Sequence, residues 1–317
     1  MRWILALLAI LMAASGCGDD AAPANSHDSA VDAALDATGD ALIDASEDAA
    51  VDATGLAPGS TQTFGPSDRP AQIVLPRNYD GVTPLPVVFL LHGYGASGIL
   101  QDALFGYREA AQSRGVYLVI PEGTVDPSGR QFWNATAQCC DNFGSGVDDE
   151  SYLIGLLDAA IAEYPVDERK VYFTGHSNGG FMSHRMACRH SDRVTAIMSL
   201  AGLSFFTAAE CGDPGPVSVL QVHGTDDDLV PYSFADDLVL RWVARGECTE
   251  AVENLDEVDL DNAVAGAETI RQRYGTTCAQ GIDVQFWTIT NGSHIPALTP
   301  TFASETLDWL LSQEKAQ

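Results

Sequence analysis

The fold is indicated by residues 171–180, which read Val171-Tyr172-Phe173-Thr174-Gly175-His176-Ser177-Asn178-Gly179-Gly180. An apolar run typical of a strand leads directly into Gly-His-Ser-Asn-Gly, and a segment compatible with a helix follows. This order is the context of a G-x-S-x-G nucleophile elbow, whose tight turn requires small residues on either side of the serine. We therefore predict that Ser177 is a nucleophile exposed at the edge of a sheet. The alternative is a glycine-rich turn that merely contains a serine.

A serine in such an elbow needs an acid and then a histidine later in the chain. Residues 216–232 contain an apolar strand that ends at His223-Gly224, and an aspartate-rich loop follows. We predict Asp227 as the acid, with Asp226 as the second choice, because three adjacent aspartates leave the position open. The other aspartates are expected to be loop caps or solvated charges.

The predicted base is His294, the one histidine that follows the aspartate loop. It lies between an apolar strand and a C-terminal helix expected over Thr301–Leu311. His294 would accept the serine proton, and the acid would hold the imidazole tautomer and stabilise the imidazolium. We expect His92 and His223, both in His-Gly strand ends, to shape their loops rather than take part in chemistry.

Two backbone N–H groups are expected to stabilise the oxyanion of the reaction. One belongs to Asn178, at the start of the helix after the nucleophile, where the helix dipole favours negative charge. The other follows the apolar strand of residues 86–91, in the glycine-rich loop His92-Gly93-Tyr94-Gly95. We predict the Tyr94 N–H as this second donor, whereas an ordinary strand-to-helix turn is the alternative.

Apolar strands alternate with helices along the chain. Strands are expected at Ala71–Pro76, Val87–His92, Val116–Pro121, Lys170–Thr174, Ala196–Leu200, Val217–His223 and Asp283–Thr290, and further helices at Leu100–Ser113, Asp148–Tyr164 and Gly179–His190. Strands of this kind separated by helices predict a mostly parallel, doubly wound sheet with helices on both faces, the α/β-hydrolase class. The candidate residues fall at the carboxyl ends of predicted strands, where such sheets place their sites.

The first 17 residues resemble a bacterial lipoprotein signal peptide. A single positive charge is followed by an apolar run from Ile4 to Ala14, which is too short for a permanent membrane span, and small residues precede Cys17. We predict cleavage before Cys17 and lipidation of its thiol, which would anchor an exported, extracytoplasmic protein to a membrane. Secretion after ordinary cleavage nearby is the alternative.

Residues 18–58 are predicted to form a stalk before a catalytic domain at residues 59–317. Seven aspartates recur at every fourth position, namely Asp28, Asp32, Asp36, Asp40, Asp44, Asp48 and Asp52. A helix would stack these like charges on one face, so we expect a solvated, extended segment. A calcium-binding repeat is disfavoured, because the glycine and terminal glutamate of known loops are missing.

The acidity of the chain extends beyond this stalk. Its net charge is −28, and 34 acidic and 15 basic residues remain when the ten acids of Asp19–Asp52 and Arg2 are set aside, a charge of −19. We therefore exclude nucleic acid as a partner, and an acidic polymer would be repelled. Neutral or weakly charged esters remain as substrates.

Six cysteines other than Cys17 predict three disulfides in an exported protein: Cys139, Cys140, Cys188, Cys211, Cys248 and Cys278. Cys248 and Cys278 bracket an acidic insertion, Thr249–Thr277, and are expected to pair, which leaves the other four to pair among themselves. No C-x-x-C spacing supports a zinc site instead. The loop of residues 131–146 could cross the site and present Trp133 to a substrate; alternatively, Trp133 packs beneath the loop.

Six motifs, in order, resemble the polyhydroxybutyrate-depolymerase-like esterases, a group related to the feruloyl and acetyl xylan esterases of carbohydrate esterase family one. They are H-G-Y-G-A-S-G, W-N-A-T-A-Q-C-C-D, G-V-D-D-E-S-Y-L, V-Y-F-T-G-H-S-N-G-G, H-G-T-D-D-D-L-V-P-Y and G-S-H-I-P, and they span Ala71–Leu311. The resemblance implies a secreted serine esterase with nucleophile Ser177, acid Asp227 and base His294. The family often has G-G-G-H-T-W-P where this chain has N-G-S-H-I-P, so the lining of the acyl pocket, and with it the substrate, stays open.

Together these features predict a metal-independent serine carboxylesterase without a cofactor, which forms an acyl-enzyme on Ser177. The expected substrate is a feruloyl or acetyl ester of plant polysaccharide, either polymeric or small. A polyhydroxybutyrate or short-chain aliphatic ester is the first alternative. A peptidase of the same fold and a catalytically silent surface-binding protein are the others.

Overall fold

The computed structural model describes residues 55–204, 211, 215–249, 251–275 and 277–315. The predicted signal peptide, the lipidation site Cys17 and all but the last few residues of the predicted stalk lie outside these residues. Within them, no helix combines the length and the apolar character needed to cross a bilayer.

Ten of the described strands form one sheet. Their bounds are β1 Thr61–Phe64, β2 Ala71–Val74, β3 Leu85–Leu91, β4 Tyr117–Ile120, β7 Val166–His176, β8 Ala196–Leu200, β9 Ser218–Gly224, β10 Val252–Asn254, β11 Thr269–Tyr274 and β12 Val284–Ile289, while β5 Thr124–Val125 pairs with β6 Gln131–Phe132 in a separate hairpin. The strand order is β1-β2-β4-β3-β7-β8-β9-β12-β11-β10. The six strands from β4 to β12 are mutually parallel, and the flanking strands are antiparallel.

Helices cover both faces of this sheet, as the alternation of apolar strands and helices predicted. The described α-helices are α1 Gly98–Phe105, α2 Tyr107–Arg114, α3 Asp149–Glu163, α4 Asn178–Arg189, α5 Ser233–Arg245 and α6 Pro300–Leu311. Side chains of α3, α4 and α5 share one core with Phe89 of β3, which stacks on Phe173 of β7 at 4.5 Å between ring centroids. Side chains of α1, α2 and α6 share the other core with Val88 and Leu90 of the same strand. Alternate residues of β3 are therefore buried on opposite faces, which explains its continuous apolar sequence.

The expectation of one helix over Leu100–Ser113 is wrong, because the structure has two helices that meet at Gly106. Gly106 adopts a left-handed conformation with φ of 69°, which ends α1, and its N–H donates to the carbonyl of Asp102. The Asp102 carboxylate then accepts hydrogen bonds from the N–H and the guanidinium of Arg108. Gly106, which lies inside the predicted helix, therefore acts as the C-cap of α1.

Three disulfides join the six cysteines that the structure describes. Cys139 pairs with its neighbour Cys140, Cys188 with Cys211, and Cys248 with Cys278. The last is the pair that the sequence favoured, and the first four cysteines pair among themselves as expected. Cys188 lies at the end of α4, so its bridge attaches residue 211 to the helix that follows the elbow.

Candidate active site

Ser177 occupies the turn between β7 and α4. Its backbone is strained, with φ of 50° and ψ of −118°, and its N–H donates to the carbonyl of Leu200 at 2.8 Å. A Cβ atom on Gly175 or Gly179 would stand 2.5 Å or 2.1 Å from the carbonyl oxygen of Leu91. Both positions therefore require glycine, because the neighbouring backbone leaves no room for a side chain. This is the geometry that the G-x-S-x-G pattern predicted.

An acid and a base lie together beside this turn. His294 Nδ1 is 2.7 Å from Asp227 Oδ2, and the Asp227 side chain is completely buried. The other carboxylate oxygen, Oδ1, accepts the N–H groups of Leu229 and Val230 at 3.0 and 2.7 Å. Asp226, the second choice from the sequence, is exposed instead. The structure thus brings Asp227, rather than its neighbour, to the histidine.

The pKa of Asp227 is held well below its usual value. Burial acts to raise the pKa, but hydrogen bonds from His223 and His294, together with the N–H of Val230, more than offset it. The carboxylate is therefore ionised at neutral pH and can only accept hydrogen bonds. His294 must then donate through Nδ1–H, so in the neutral imidazole Nε2 is the nitrogen that can accept a proton.

The histidine loop is fastened to the elbow through His176, the residue before Ser177. His176 Nε2 lies 2.7 Å from the carbonyl oxygen of His294, and the two imidazole rings are 4.9 Å apart between centroids. Burial lowers the pKa of His176 to about 4, so the ring is neutral and donates its Nε2–H to that carbonyl. This bond ties the His294 backbone to the residue that precedes the predicted nucleophile.

The loop after β3 lies against the same turn. A Cβ atom on Gly93 would stand 3.7 Å from the Cβ of Ser177. Next to it, Tyr94 is held by its hydroxyl, which donates to Asp126 at 2.6 Å, and by the Arg130 guanidinium, which lies 4.9 Å from the ring centroid. The following N–H, of Gly95, is already bonded to the carbonyl of Gln131 at 2.8 Å. The predicted oxyanion donor, the Tyr94 N–H, thus belongs to a loop that is fixed on both sides.

Asn178 has a role that the sequence did not indicate. Its side-chain Oδ1 accepts the N–H of Trp133 at 2.7 Å, and its Nδ2 donates to the carbonyl of the same residue at 2.9 Å. The side chain of the first residue of α4 therefore clamps the loop of residues 131–146, while its backbone N–H remains the predicted oxyanion donor. The sequence pattern indicated only that N–H group.

The expectation that Trp133 contacts substrate is not supported by its position. Trp133 is completely buried beneath the loop, and its indole N–H donates to the carbonyl of His92 at 3.0 Å. The packing alternative is the arrangement that the structure shows. Cys140 adds a hydrogen bond from its N–H to the Trp133 carbonyl at 3.3 Å, and Cys139 Sγ lies 3.5 Å from the Asn178 amide nitrogen. The disulfide-linked pair thus closes the loop over the elbow.

The acidic insertion supports the segment that follows His294. The N–H of Asn262 donates to the carbonyl of Ala297 at 2.8 Å, and the Asp261 carboxylate accepts the N–H of Ala297 at 3.0 Å. The N–H of Thr299 donates to the carbonyl of Leu260 at 2.9 Å. The insertion, whose ends are joined by a disulfide, therefore braces the segment that follows His294.

Comparison with known proteins identifies relatives of this chain. Residues 62–259 match the Esterase family, described as "Putative esterase". Feruloyl esterase D of Neurospora crassa is 25% identical over 250 residues, which cover 75% of this chain and 77% of that protein. "Putative esterase NocK" of Nocardia uniformis subsp. tsuyamanensis is 31% identical over 147 residues, which cover 46% of this chain. The match covers 41% of the length of the Nocardia protein, so this chain spans less than half of that relative.

The solved structure of an acetyl xylan esterase from Aspergillus awamori has the same fold. The two structures superpose with a TM-score of 0.59 at 17% sequence identity, and the match covers 80% of this chain and 99% of that one. The α/β-hydrolase fold predicted from the sequence is therefore confirmed. The resemblance to feruloyl and acetyl xylan esterases, which rested on six motifs, is confirmed as well.

Proposed function

This chain belongs to the Esterase family, and we propose that it is an exported serine carboxylesterase with nucleophile Ser177, base His294 and acid Asp227. The observation that carries the proposal is the 2.7 Å hydrogen bond between His294 Nδ1 and the buried Asp227 carboxylate, made beside a strained elbow. Strained backbone at one turn, together with a buried acid–base pair next to it, is what acyl transfer through a serine requires.

The proposed reaction has two steps. His294 Nε2 takes the proton of Ser177 Oγ as that oxygen attacks the ester carbonyl, and the N–H groups of Tyr94 and Asn178 donate to the oxyanion. The intermediate expels the alcohol, which receives the proton from His294 Nε2, and an acyl-enzyme remains. A water then attacks the acyl carbonyl, gives its proton to the same nitrogen, and releases the acid while the proton returns to Ser177.

We propose feruloyl or acetyl esters of plant polysaccharide as the substrates. The Neurospora relative, a feruloyl esterase, and the Aspergillus structure, an acetyl xylan esterase, support this class. The local surface is consistent with it, because Leu229 and Ile295, which follow the acid and the base in sequence, are each 61% exposed. Apolar side chains beside a polar acid–base pair suit the uncharged acyl part of an ester, and the net negative charge of the domain disfavours acidic polymers.

A short-chain aliphatic ester, including polyhydroxybutyrate, is the second candidate. Ile295 favours a short aliphatic acyl group, because this exposed aliphatic residue directly follows the base. An aliphatic side chain packs on an alkyl acyl chain without offering the ring surface on which a feruloyl group could stack. The two candidates therefore differ in the acyl group that the enzyme prefers.

We also propose that export takes the form predicted from the sequence, with a signal peptide at residues 1–17, a lipid on Cys17 and a stalk to residue 58. Three disulfides support an oxidising compartment for the domain. Mass spectrometry of the membrane fraction of cells that express the chain tests this proposal. A diacylglyceryl group on Cys17 is the expected result. An unmodified Cys17 thiol, with secretion that is the same in the Cys17→Ser variant, would refute the proposal.

The function is tested by measuring hydrolysis of p-nitrophenyl acetate, p-nitrophenyl butyrate and methyl ferulate, with Ser177→Ala as the matched variant. We expect turnover that depends on Ser177. Preference for methyl ferulate or p-nitrophenyl acetate would favour polysaccharide esters, whereas preference for p-nitrophenyl butyrate would favour the aliphatic candidate. If the folded wild type were no faster than Ser177→Ala on any of the three, the esterase mechanism would be refuted. Turnover of peptide p-nitroanilides without ester turnover would indicate the peptidase alternative.

A further inference from the structure

A line of buried side chains runs from α5 through the sheet to the acid. Trp242 Nε1 lies 3.2 Å from His184 Nδ1, and His184 Nε2 lies 3.0 Å from Gln221 Oε1. Gln221 Nε2 lies 3.2 Å from His223 Nδ1, and His223 Nε2 lies 3.2 Å from Asp227 Oδ2. The side chains of this line, here called the Trp242–Asp227 relay, are all buried.

The direction of each hydrogen bond in the relay follows from the chemistry of its ends. An indole N–H can only donate, so His184 Nδ1 must accept from Trp242. Burial lowers the pKa of His184 to about 4, so its ring is neutral and carries its one proton on Nε2, which donates to Gln221 Oε1. Gln221 Nε2 also donates to the carbonyl of Gly202 at 3.0 Å. Because a carbonyl can only accept, the Gly202 contact requires the amide nitrogen on that side, and the His184 contact requires the amide oxygen on the other. Two independent contacts therefore give the same orientation of the Gln221 amide.

These constraints determine which nitrogen of His223 carries the proton. Since Gln221 donates to Nδ1, that nitrogen is unprotonated and the hydrogen lies on Nε2. His223 Nε2 hydrogen-bonds the carbonyl of Val230 at 2.8 Å, and Asp227 Oδ2 lies 3.2 Å from the same nitrogen, whose hydrogen bond lowers the pKa of Asp227. Asp227 Oδ2 therefore receives two imidazole donors, one from His294 and one from His223.

We propose that His223 is a positioning residue for the hydrolysis proposed above, holding the Asp227 carboxylate in the orientation that His294 needs. The backbone N–H groups of Leu229 and Val230 fix Oδ1, and the His223 Nε2–H fixes Oδ2. With both oxygens held, the carboxylate cannot rotate about its bond to Cβ. The direction in which Oδ2 meets His294 Nδ1–H, and hence the plane of the His294 ring, is then constant.

The activity test compares His223→Leu with His223→Gln, because the Gln side chain can place a donor where Nε2–H stood and Leu cannot. We expect His223→Leu to lower kcat about tenfold, the loss of one hydrogen bond to a charged group, with KM within twofold of the wild type. His223→Gln should recover most of that kcat. Melting temperatures of both variants show whether either one has lost its fold.

Two results would overturn the proposal: a His223→Leu variant with wild-type kcat, or two folded variants that lose kcat equally. If His223→Leu does not fold, the Gln variant still decides, since it should keep kcat close to that of the wild type.

A second readout is independent of activity. In protein labelled with ¹⁵N-histidine, His223 should show an unprotonated Nδ1 and a protonated Nε2, with its signals assigned by their loss in His223→Gln. The opposite tautomer would refute the relay even if the enzyme is active. If wild-type hydrolysis does not depend on Ser177, the proposed function fails, whereas the tautomer still tests the relay by itself.

Discussion

Replacing Asn178 with alanine separates two roles of one residue. The substitution removes the side-chain amide that bonds both the N–H and the carbonyl of Trp133, but it keeps the backbone N–H that is proposed to face the oxyanion. Trp133 is completely buried, so its N–H would lose its partner, whereas its carbonyl would still accept the N–H groups of Ala135 and Cys140. The consequences for stability and for catalysis should therefore differ.

The cost to stability follows from the two bonds, at 2.7 and 2.9 Å. A buried polar group left without a partner costs about 1–3 kcal/mol, and a hydrogen bond to a carbonyl that keeps other donors contributes about 1 kcal/mol, so the two bonds predict a loss of about 2–4 kcal/mol in the free energy of unfolding. At about 2–4 °C per kcal/mol for a domain of this size, even the lower limit would lower the melting temperature by about 4 °C or more. The loss in kcat should stay below the roughly 100-fold expected when an oxyanion donor itself is removed.

The assay is denaturant unfolding together with kcat for a p-nitrophenyl ester. Asn134→Ala is the matched control, because Asn134 lies in the same loop and its amide makes one bond, to the carbonyl of Val147 at 2.9 Å. We expect this control to lose about 1 kcal/mol. An Asn178→Ala variant as stable as the wild type, or no less stable than the Asn134→Ala control, would refute the idea that Asn178 clamps the loop.

Three further predictions concern the acid, the pH dependence and the insertion. Asp227→Asn should lower kcat about 10⁴-fold by imposing the wrong His294 tautomer. Asp226→Asn, a change at an exposed carboxylate, should leave kcat unchanged. Equal losses of kcat in the two variants would contradict our assignment of the acid. Burial lowers the pKa of His92, His176 and His184 from 6.5 to about 4, so the unfolded chain binds up to three more protons than the folded one. The free energy of unfolding should therefore fall as the pH drops from about 6.5 to 4. A flat profile in urea titrations over this range would exclude three buried neutral histidines. Joint replacement of Cys248 and Cys278 by serine opens a loop with a sequence separation of 30 and should lower the free energy of unfolding by about 3–4 kcal/mol. It should also lower kcat, because the insertion supports the segment after His294. A Cys188→Ser/Cys211→Ser variant should not share this drop in kcat.

The parts of the site that could be predicted are those in which local sequence constrains the backbone. Gly175 and Gly179 signalled the elbow because a side chain at either position would meet the Leu91 carbonyl. The order of the strand ends then indicated the acid and the base. The choice of Asp227 over its neighbours depends on which carboxylate turns inward, and three adjacent aspartates carry no periodic pattern that could decide this.

The features that escaped prediction depend on contacts between distant segments. The Asn178 clamp joins the elbow to a loop 45 residues earlier in the chain, and the burial of Trp133 is a consequence of that contact. The antiparallel strands β10 and β11 lie in the acidic insertion, where β11 has intermediate burial along most of its length and alternates weakly. Strands at or next to the edge of a sheet have little apolar pattern to show when little of their surface is buried.

The brace between the insertion and the base loop sets an order for the appearance of activity. His294 is held on one side by His176 of the elbow and followed on the other by a segment paired with residues 260–262. A chain that has emerged only as far as the elbow contains the proposed nucleophile but has neither support for the proposed base nor that base itself. Ester hydrolysis would therefore begin only after the last strands have joined the sheet, so that the appearance of turnover marks the completion of folding rather than its onset.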